Sequence, residues 1–459
     1  MIAVISDLHF EEEASDVIRG PNGEELRFRR NLDPRVFTRF VVWMAGEAQR
    51  HGSKEFELII AGDLFDLSRT ALWFEDPLRP YVTNGEFSPE LERKILRIVD
   101  AVAVEPAVAE AIESFHLLAE GVYREADGGE PRPFPCKTKI TLLAGNHDRI
   151  IDGSDAIRAR IRELLGLPGG RRFPRYALLE DPETLIRHGH EYDPSNFAAD
   201  LTRQRSIPLD ISGDAYDRAN FGDFVTIDVA MRLPFLLRRH YGDDRVCRDP
   251  VLRSLYLRLL QFDDVRPQSS LLDYLLDPSD EHFTPDQAWD RLVPVILDLL
   301  DEIHDNKFFR YWLERLERPW APAELELARG LLKLGGWGNA AAREASRKIA
   351  HYFLGGEQPE PQLYAAREEV LQENKVRLVI SGHTHFPLVT LLKSDASGDR
   401  FYINTGTWRS VIPSTPDRRT FGRMRALTYV LLFAKEEQQR REGKPTNSFD
   451  YWSGFARDW

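Results

Sequence analysis

Five short stretches of the chain carry side chains able to do metal or proton chemistry. They are Asp7-Leu8-His9, Gly62-Asp63-Leu64-Phe65-Asp66, Gly145-Asn146-His147-Asp148, His188-Gly189-His190 and Gly382-His383-Thr384-His385. Imidazole, carboxylate and carboxamide donors mixed in one site suit borderline divalent ions such as Mn, Fe, Zn, Ni or Co, whereas thiolates would point to structural zinc. Asp7, His9, Asp63, Asn146, His188, His383 and His385 are too many ligands for one ion and enough for two that share a carboxylate. Two ions roughly 3.5 to 4 Å apart can clamp both the attacking and the leaving oxygen in phosphoryl-group hydrolysis and lower the pKa of a bound water.

Each stretch follows an apolar run, at residues 2–6, 58–61, 140–144, 184–187 and 376–381. Short aliphatic runs closed by glycine or polar residues predict strands buried on both faces, as in a parallel sheet. Ligands in open α/β sheets sit beyond the carboxyl ends of the strands, so five such ends would deliver their side chains to one place. Helical spacing is found at 34–50, at 91–118 with a break near Pro106, and at 155–165, and a short strand at 176–179. Further strands are expected at 388–392, 401–404 and 426–433. Between about 222 and 374 the periodicity is helical almost without strands, at 225–240, 252–262, 292–303, 325–334, 340–354 and 363–373. The expected organisation is an α/β core in two parts, residues 1–194 and 376–459 with a C-terminal tail, around a mainly helical insertion or cap at 195–375.

Composition narrows the partners. With 42% hydrophobic and 29% charged residues, the 459-residue chain reads as an ordinary globular protein. Its 61 Lys and Arg against 74 Asp and Glu give a net charge of −13, which disfavours a duplex-binding surface without excluding a local basic groove. Cys136 and Cys247 lie outside every block and read as reduced packing residues. No apolar stretch approaches the roughly 18 residues of a membrane span, and the first strand begins too early for a signal peptide, so a cytoplasmic location is expected. Trp73, Phe74 and Tyr81 should pack under the loop after Asp66, and His51, His116, His240, His304 and His351 should have no part in the site. Arg171, Arg172 and Arg175, like Arg418 and Arg419, read as solvated faces rather than phosphate receivers.

Taken together and in order, the five blocks resemble those of the calcineurin-like metallophosphoesterase family, over roughly residues 1–193 and 376–435. The resemblance implies a two-sheet αββα sandwich, here with a large helical insertion, and a dinuclear site. It implies that Asp7, His9 and His385 hold the first metal, that Asp63 bridges, and that Asn146, His188 and His383 hold the second. His147 would be the general acid that protonates the leaving oxygen, a task for a group titrating near neutrality. Asp66 and Asp148 would orient the histidines, and His190 would touch substrate or bond to backbone. Thr405-Gly406-Thr407-Trp408 resembles a turn that should pack beside the site. The implied activity is hydrolysis of a phosphodiester, phosphomonoester or pyrophosphate bond in a small phosphorylated or nucleotide-like substrate, by metal-bound hydroxide. Residues 188–193 are reminiscent of cytoplasmic members that cleave nucleotide-linked pyrophosphates, although those carry an acidic residue where His190 stands. One rival reading is a nuclease of the same family, which would need a basic, aromatic-lined groove. The other is a non-catalytic metal-binding scaffold, which tends to lack the histidine that His147 supplies. The insertion could gate access or provide an oligomer interface.

Overall fold

The computed structural model describes residues 1–81, 86–126, 128–277, 282–304, 306–315, 329–330, 332, 360–417, 420–437 and 448–456. The expected helix at 340–354, most of that at 325–334, and His351, Arg418 and Arg419 lie outside these residues. Mixed sheets and helices make the fold α/β.

Two sheets carry the site. In the first, β10 (Val265–Arg266), β14 (Ser410–Pro413), β15 (Met424–Phe433), β1 (Ile2–Ile5), β4 (Glu55–Ile60) and β7 (Lys137–Leu142) lie side by side, and β16 (Ser448–Ala456) pairs antiparallel with β15. The second runs β12 (Pro387–Asp395), β13 (Gly398–Thr405), β11 (Leu378–Ser381), β9 (Thr184–Arg187) and β8 (Tyr176–Leu179). Two small hairpins stand apart, β2 (Ile18–Arg19) with β3 (Glu25–Leu26) and β5 (Val122–Tyr123) with β6 (Arg132–Pro133). Strands β1, β4 and β7 are mutually parallel, as are β9, β11 and β13.

Alternation along the strands explains the layering, because successive side chains point to opposite faces. Val4, Ile59 and Val430 of the first sheet meet Ile186, Ile380 and Ile403 of the second in one buried apolar layer. The intervening residues Ala3, Ile5, Leu58, Ile60 and Leu142 face outward and are covered by the helices Arg35–His51, Pro89–Ala103, Pro106–Ala119 and Asp155–Leu164. On the far side, Leu185, Val379 and Tyr402 are covered by Phe197, Leu201, Ile207, Val370 and Leu371. Each fully buried aliphatic side chain contributes roughly 1.5 to 3 kcal/mol, so the facing sheets form a stiff frame. Proline divides the long helical run: Pro106 lacks the N–H that a continuous helix needs, and it starts a second helix at its first position.

Among the described residues from 213 to 372, the regular elements are helices apart from the two-residue β10 and an isolated bridge at Glu368. The helices include Phe221–Val225, Arg232–Tyr241, Pro250–Leu259, Pro285–His304 and Lys307–Arg315, with a π-helical turn at Thr226–Met231. They pack around Phe224, Leu236, Leu255, Leu259, Leu292 and Leu299, and that cluster also takes in Ile18, Leu26 and Ile412 from the chain's other parts. Buried ions tie this body to the sheets. Arg149 Nη2 meets Asp223 Oδ2 at 2.9 Å, Arg69 Nη1 meets Asp263 Oδ2 at 3.0 Å, and Arg409 Nη2 meets Asp264 Oδ1 at 2.8 Å. Among the described residues no helix is long and apolar enough to cross a membrane.

Candidate metal centre

All five predicted strand ends point into one place. β1 leads to Asp7 and His9, β4 to Asp63, β7 to Asn146 and His147, β9 to His188, and β11 to His383 and His385. The loops are held edge to edge by backbone hydrogen bonds. Asp7 N donates to Gly62 O (3.1 Å), His9 N to Asp63 O (3.0 Å) and Gly382 N to His188 O (2.8 Å). Such sharp exits require unusual backbone. Asp7, His9, Asp63, His383 and His385 all have positive φ, between 48° and 70°. For residues with a Cβ this costs of order 1 kcal/mol or more each, and the fold must enforce it. Gly62, at φ 94°, has no room for a side chain: a Cβ there would enter the imidazole of His188.

The donor atoms converge. His9 Nε2 and His385 Nε2 are 3.0 Å apart, and Asp7 Oδ1 lies 3.6 Å from the first and 3.4 Å from the second. On the other side, His188 Nε2 is 3.0 Å from Asp63 Oδ2 and 3.1 Å from Asn146 Oδ1, and the latter is also 3.1 Å from His383 Nδ1. Asp63 stands between the two halves, its Oδ2 also 3.8 Å from His9 Nε2. Three sets have ligand atoms within 4.8 Å of one another: Asp7, His9 and His385; Asp63, His188 and His383; and His9, Asp63 and His147. These buried groups could hold a metal ion.

Partners on the outer nitrogens fix the rings. His188 Nδ1 donates to Ala61 O (2.8 Å), His9 Nδ1 faces Asp66 Oδ2 (3.4 Å), and His383 Nε2 donates to Asp193 Oδ2 (3.1 Å). Asp66 also receives His147 Nδ1 at 3.0 Å, as expected for a carboxylate that orients histidines. Asp148 differs from expectation. Its Oδ2 accepts the backbone N–H of Asp63 (2.6 Å) and of Gly145 (2.9 Å), so it holds the loops rather than an imidazole. Burial and the neighbouring Asp63 push its carboxyl up to about 7. His190 is buried behind His188, edge-on to Phe197 and Tyr216, and burial pushes it down to about 3. It packs there as a neutral ring.

Electrostatics suit cations. Burial opposes ionisation of Asp7, yet His188, His385 and His9 hold it well below the usual carboxylate range. Asp63 is lowered likewise by His188 and His147 against the cost of burial. Burial also opposes charging of His147 and His188, but Asp66 and Asp63 raise the first to about 10, and Asp63 and Asp7 raise the second to about 10. Anionic carboxylates surrounded by inward-facing imidazole nitrogens are the donor set a divalent ion requires.

Several neighbours of the site were not singled out in the sequence. Asp193 sits in the 188–193 block, five residues past His188, where a carboxylate search could have found it. Thr407 Oγ1 and Trp408 N both donate to Asp7 O, at 2.8 and 3.0 Å, while Ser6 Oγ binds Thr405 Oγ1 and the Asp7 carboxylate. The expected turn therefore clamps Asp7 directly. Arg266 of β10 donates to His385 Nδ1 at 2.8 Å, and no motif marks it. Trp73 is fully buried with its Nε1 on Leu67 O, and Arg172 and Arg175 pair with Asp217. Both cysteines are free. In comparisons with known proteins, no family model and no curated protein sequence matches this chain.

Proposed function

We propose that the chain is a dinuclear metal-dependent phosphoesterase of the calcineurin-like kind, built on its two-sheet αββα sandwich. The observation that carries this reading is the pair of donor sets that meet at one carboxylate, Asp63. Asp7, His9 and His385 would hold one ion, Asn146, His188 and His383 the other, with Asp63 between them. The ions, of the Mn, Fe, Zn, Ni or Co class, would polarise a phosphoryl oxygen and lower the pKa of a water.

The protein's own groups complete the chemistry. Asp66 occupies His147 Nδ1, which leaves Nε2 as the nitrogen able to pass a proton to a leaving oxygen. Unlike His188, whose side chain is fully buried, His147 keeps 16% of its side chain exposed, so it borders the space from which a substrate arrives. The backbone N–H of His147 donates to Asp63 Oδ1 at 2.9 Å and fixes how that carboxylate faces the centre. A small phosphorylated or nucleotide-like substrate fits the net charge better than a nucleic acid.

The test uses metal-stripped protein resupplied with manganese, a chromogenic phosphodiester and the matching monoester. Hydrolysis should require metal and vanish in Asp63→Asn. In His147→Ala the rate should fall about 10²- to 10⁴-fold, the usual contribution of a general acid. Metal-independent turnover, or full activity in Asp63→Asn, would overturn the proposal.

A further inference from the structure

The four candidate histidine ligands are not held alike. His188, His9 and His383 each turn their outer nitrogen to an acceptor, namely Ala61 O, the Asp66 carboxylate and the Asp193 carboxylate. An acceptor there holds a proton on the outer nitrogen, so a cation can take the inner nitrogen without disturbing the outer contact. His385 faces the opposite kind of partner. Its outer Nδ1 is 2.8 Å from Arg266 Nη2, and a guanidinium can only donate. A neutral imidazole that accepts at Nδ1 carries its proton on Nε2, the nitrogen aimed into the site. That proton has partners waiting: His9 Nε2 at 3.0 Å and Asp7 Oδ1 at 3.4 Å.

We infer that Arg266 makes the first metal position, at Asp7, His9 and His385, the weaker and later-filling of the two. A neutral ring that gives Nε2 to an ion must carry its proton on Nδ1, so Arg266 must give up its contact there. Arg266 is poorly placed to yield. It is buried, and its Nη1 also donates to Asp263 O (2.5 Å) and Val265 O (2.9 Å), both from the segment that forms the sheet-edge strand β10. The guanidinium also sets a positive charge against the outer side of His385, where the outer partners of His188 and His383 are a carbonyl and a carboxylate. The helical insertion therefore acts on the centre through one arginine, as a positioning residue rather than a substrate contact. This inference rests on the dinuclear reading above.

The experiment is a titration of the full-length, metal-stripped chain with Mn²⁺, followed by equilibrium dialysis and by Mn²⁺ electron paramagnetic resonance. The wild type should take up two ions with dissociation constants at least tenfold apart, an isolated-ion spectrum preceding a coupled one. Arg266→Gln, which offers a carbonyl to Nδ1, should tighten the weak step about 10- to 100-fold, the usual weight of an outer partner. Arg266→Lys, which keeps a charged donor, should leave the gap in place. Two equal sites in the wild type, or a gap unchanged in both Arg266→Gln and Arg266→Ala, would overturn the inference while leaving the dinuclear reading intact. A single ion bound in every variant would overturn both. Should the variants not fold, ¹⁵N-histidine spectra of the metal-free wild type decide, with His385→Asn assigning the signal. The Nε2–H form at His385 is expected, and the Nδ1–H form would overturn the inference.

Discussion

His147 and His188 share a field that the metal-free protein cannot avoid. Unfolded histidine titrates near 6.5, whereas the carboxylates around the buried His188 and the half-buried His147 hold their protons up to about 10. Between those values the folded chain binds protons that the unfolded chain has released, so the stability they contribute is complete below pH 6.5 and is lost as pH rises through 10. Metal-stripped protein should accordingly melt at a lower temperature at pH 10 than at pH 7, and His147→Gln should flatten that slope. An unchanged slope in the variant would place the titration elsewhere. At this scale the sequence was most informative. The seven candidate ligands stood out because polar side chains cluster at the ends of apolar runs, where a core has no use for them. Asp148 misled because a carboxylate next to His147 reads as a partner for the histidines, while its Oδ2 accepts backbone N–H groups from Gly145 of its own loop and Asp63 of another. Arg266 was illegible: its role depends on which imidazole nitrogen it meets, and spacing along the chain does not encode that.

Among elements, the strands β1, β9 and β11 were readable because they are buried almost throughout, and β4 and β7 because their runs towards the site, 58–61 and 140–144, are mainly buried and apolar although Glu55, Lys137 and Lys139 are exposed. β10 was not, since two residues carry no period and its pairing with β14 is decided by the helical region around it. The five-residue helices and the π turn likewise fall below the length at which a 3.6-residue repeat shows. What links element to site is the tight turn. Gly62→Ala puts a side chain at φ 94° and into His188, combining left-handed strain with overpacking for a loss of about 3 kcal/mol. Urea denaturation should show that loss, with manganese binding weakened in step. A variant as stable as the wild type would mean that the β4 turn relaxes without disturbing His188.

On the scale of the whole molecule, the helical region is joined to the sheets by ion pairs that are largely buried. Arg409 is the pivot, bonded to Asp264 and 4.0 Å from the Asp66 carboxylate that holds His147. Removing one partner of a buried pair leaves an uncompensated charge, typically at a cost of about 3 to 5 kcal/mol. Asp264→Ala should therefore lower the free energy of unfolding by that amount in urea, although residue 264 touches no ligand, and an effect below about 1 kcal/mol would show that Arg409 finds another anion. The same architecture bears on how the molecule comes into being. His9 and His385, 3.0 Å apart in the centre, are separated by 376 positions in the chain. Contacts of such high sequence separation are slow to form, because a long loop must close before they contribute anything. A chain growing from its N-terminus has Asp7, Asp63, Asn146 and His188 in hand well before the helical region and the last histidine pair are made. The centre is thus a late product of folding, and a complete pair of donor sets marks a chain that has closed a loop of 376 positions.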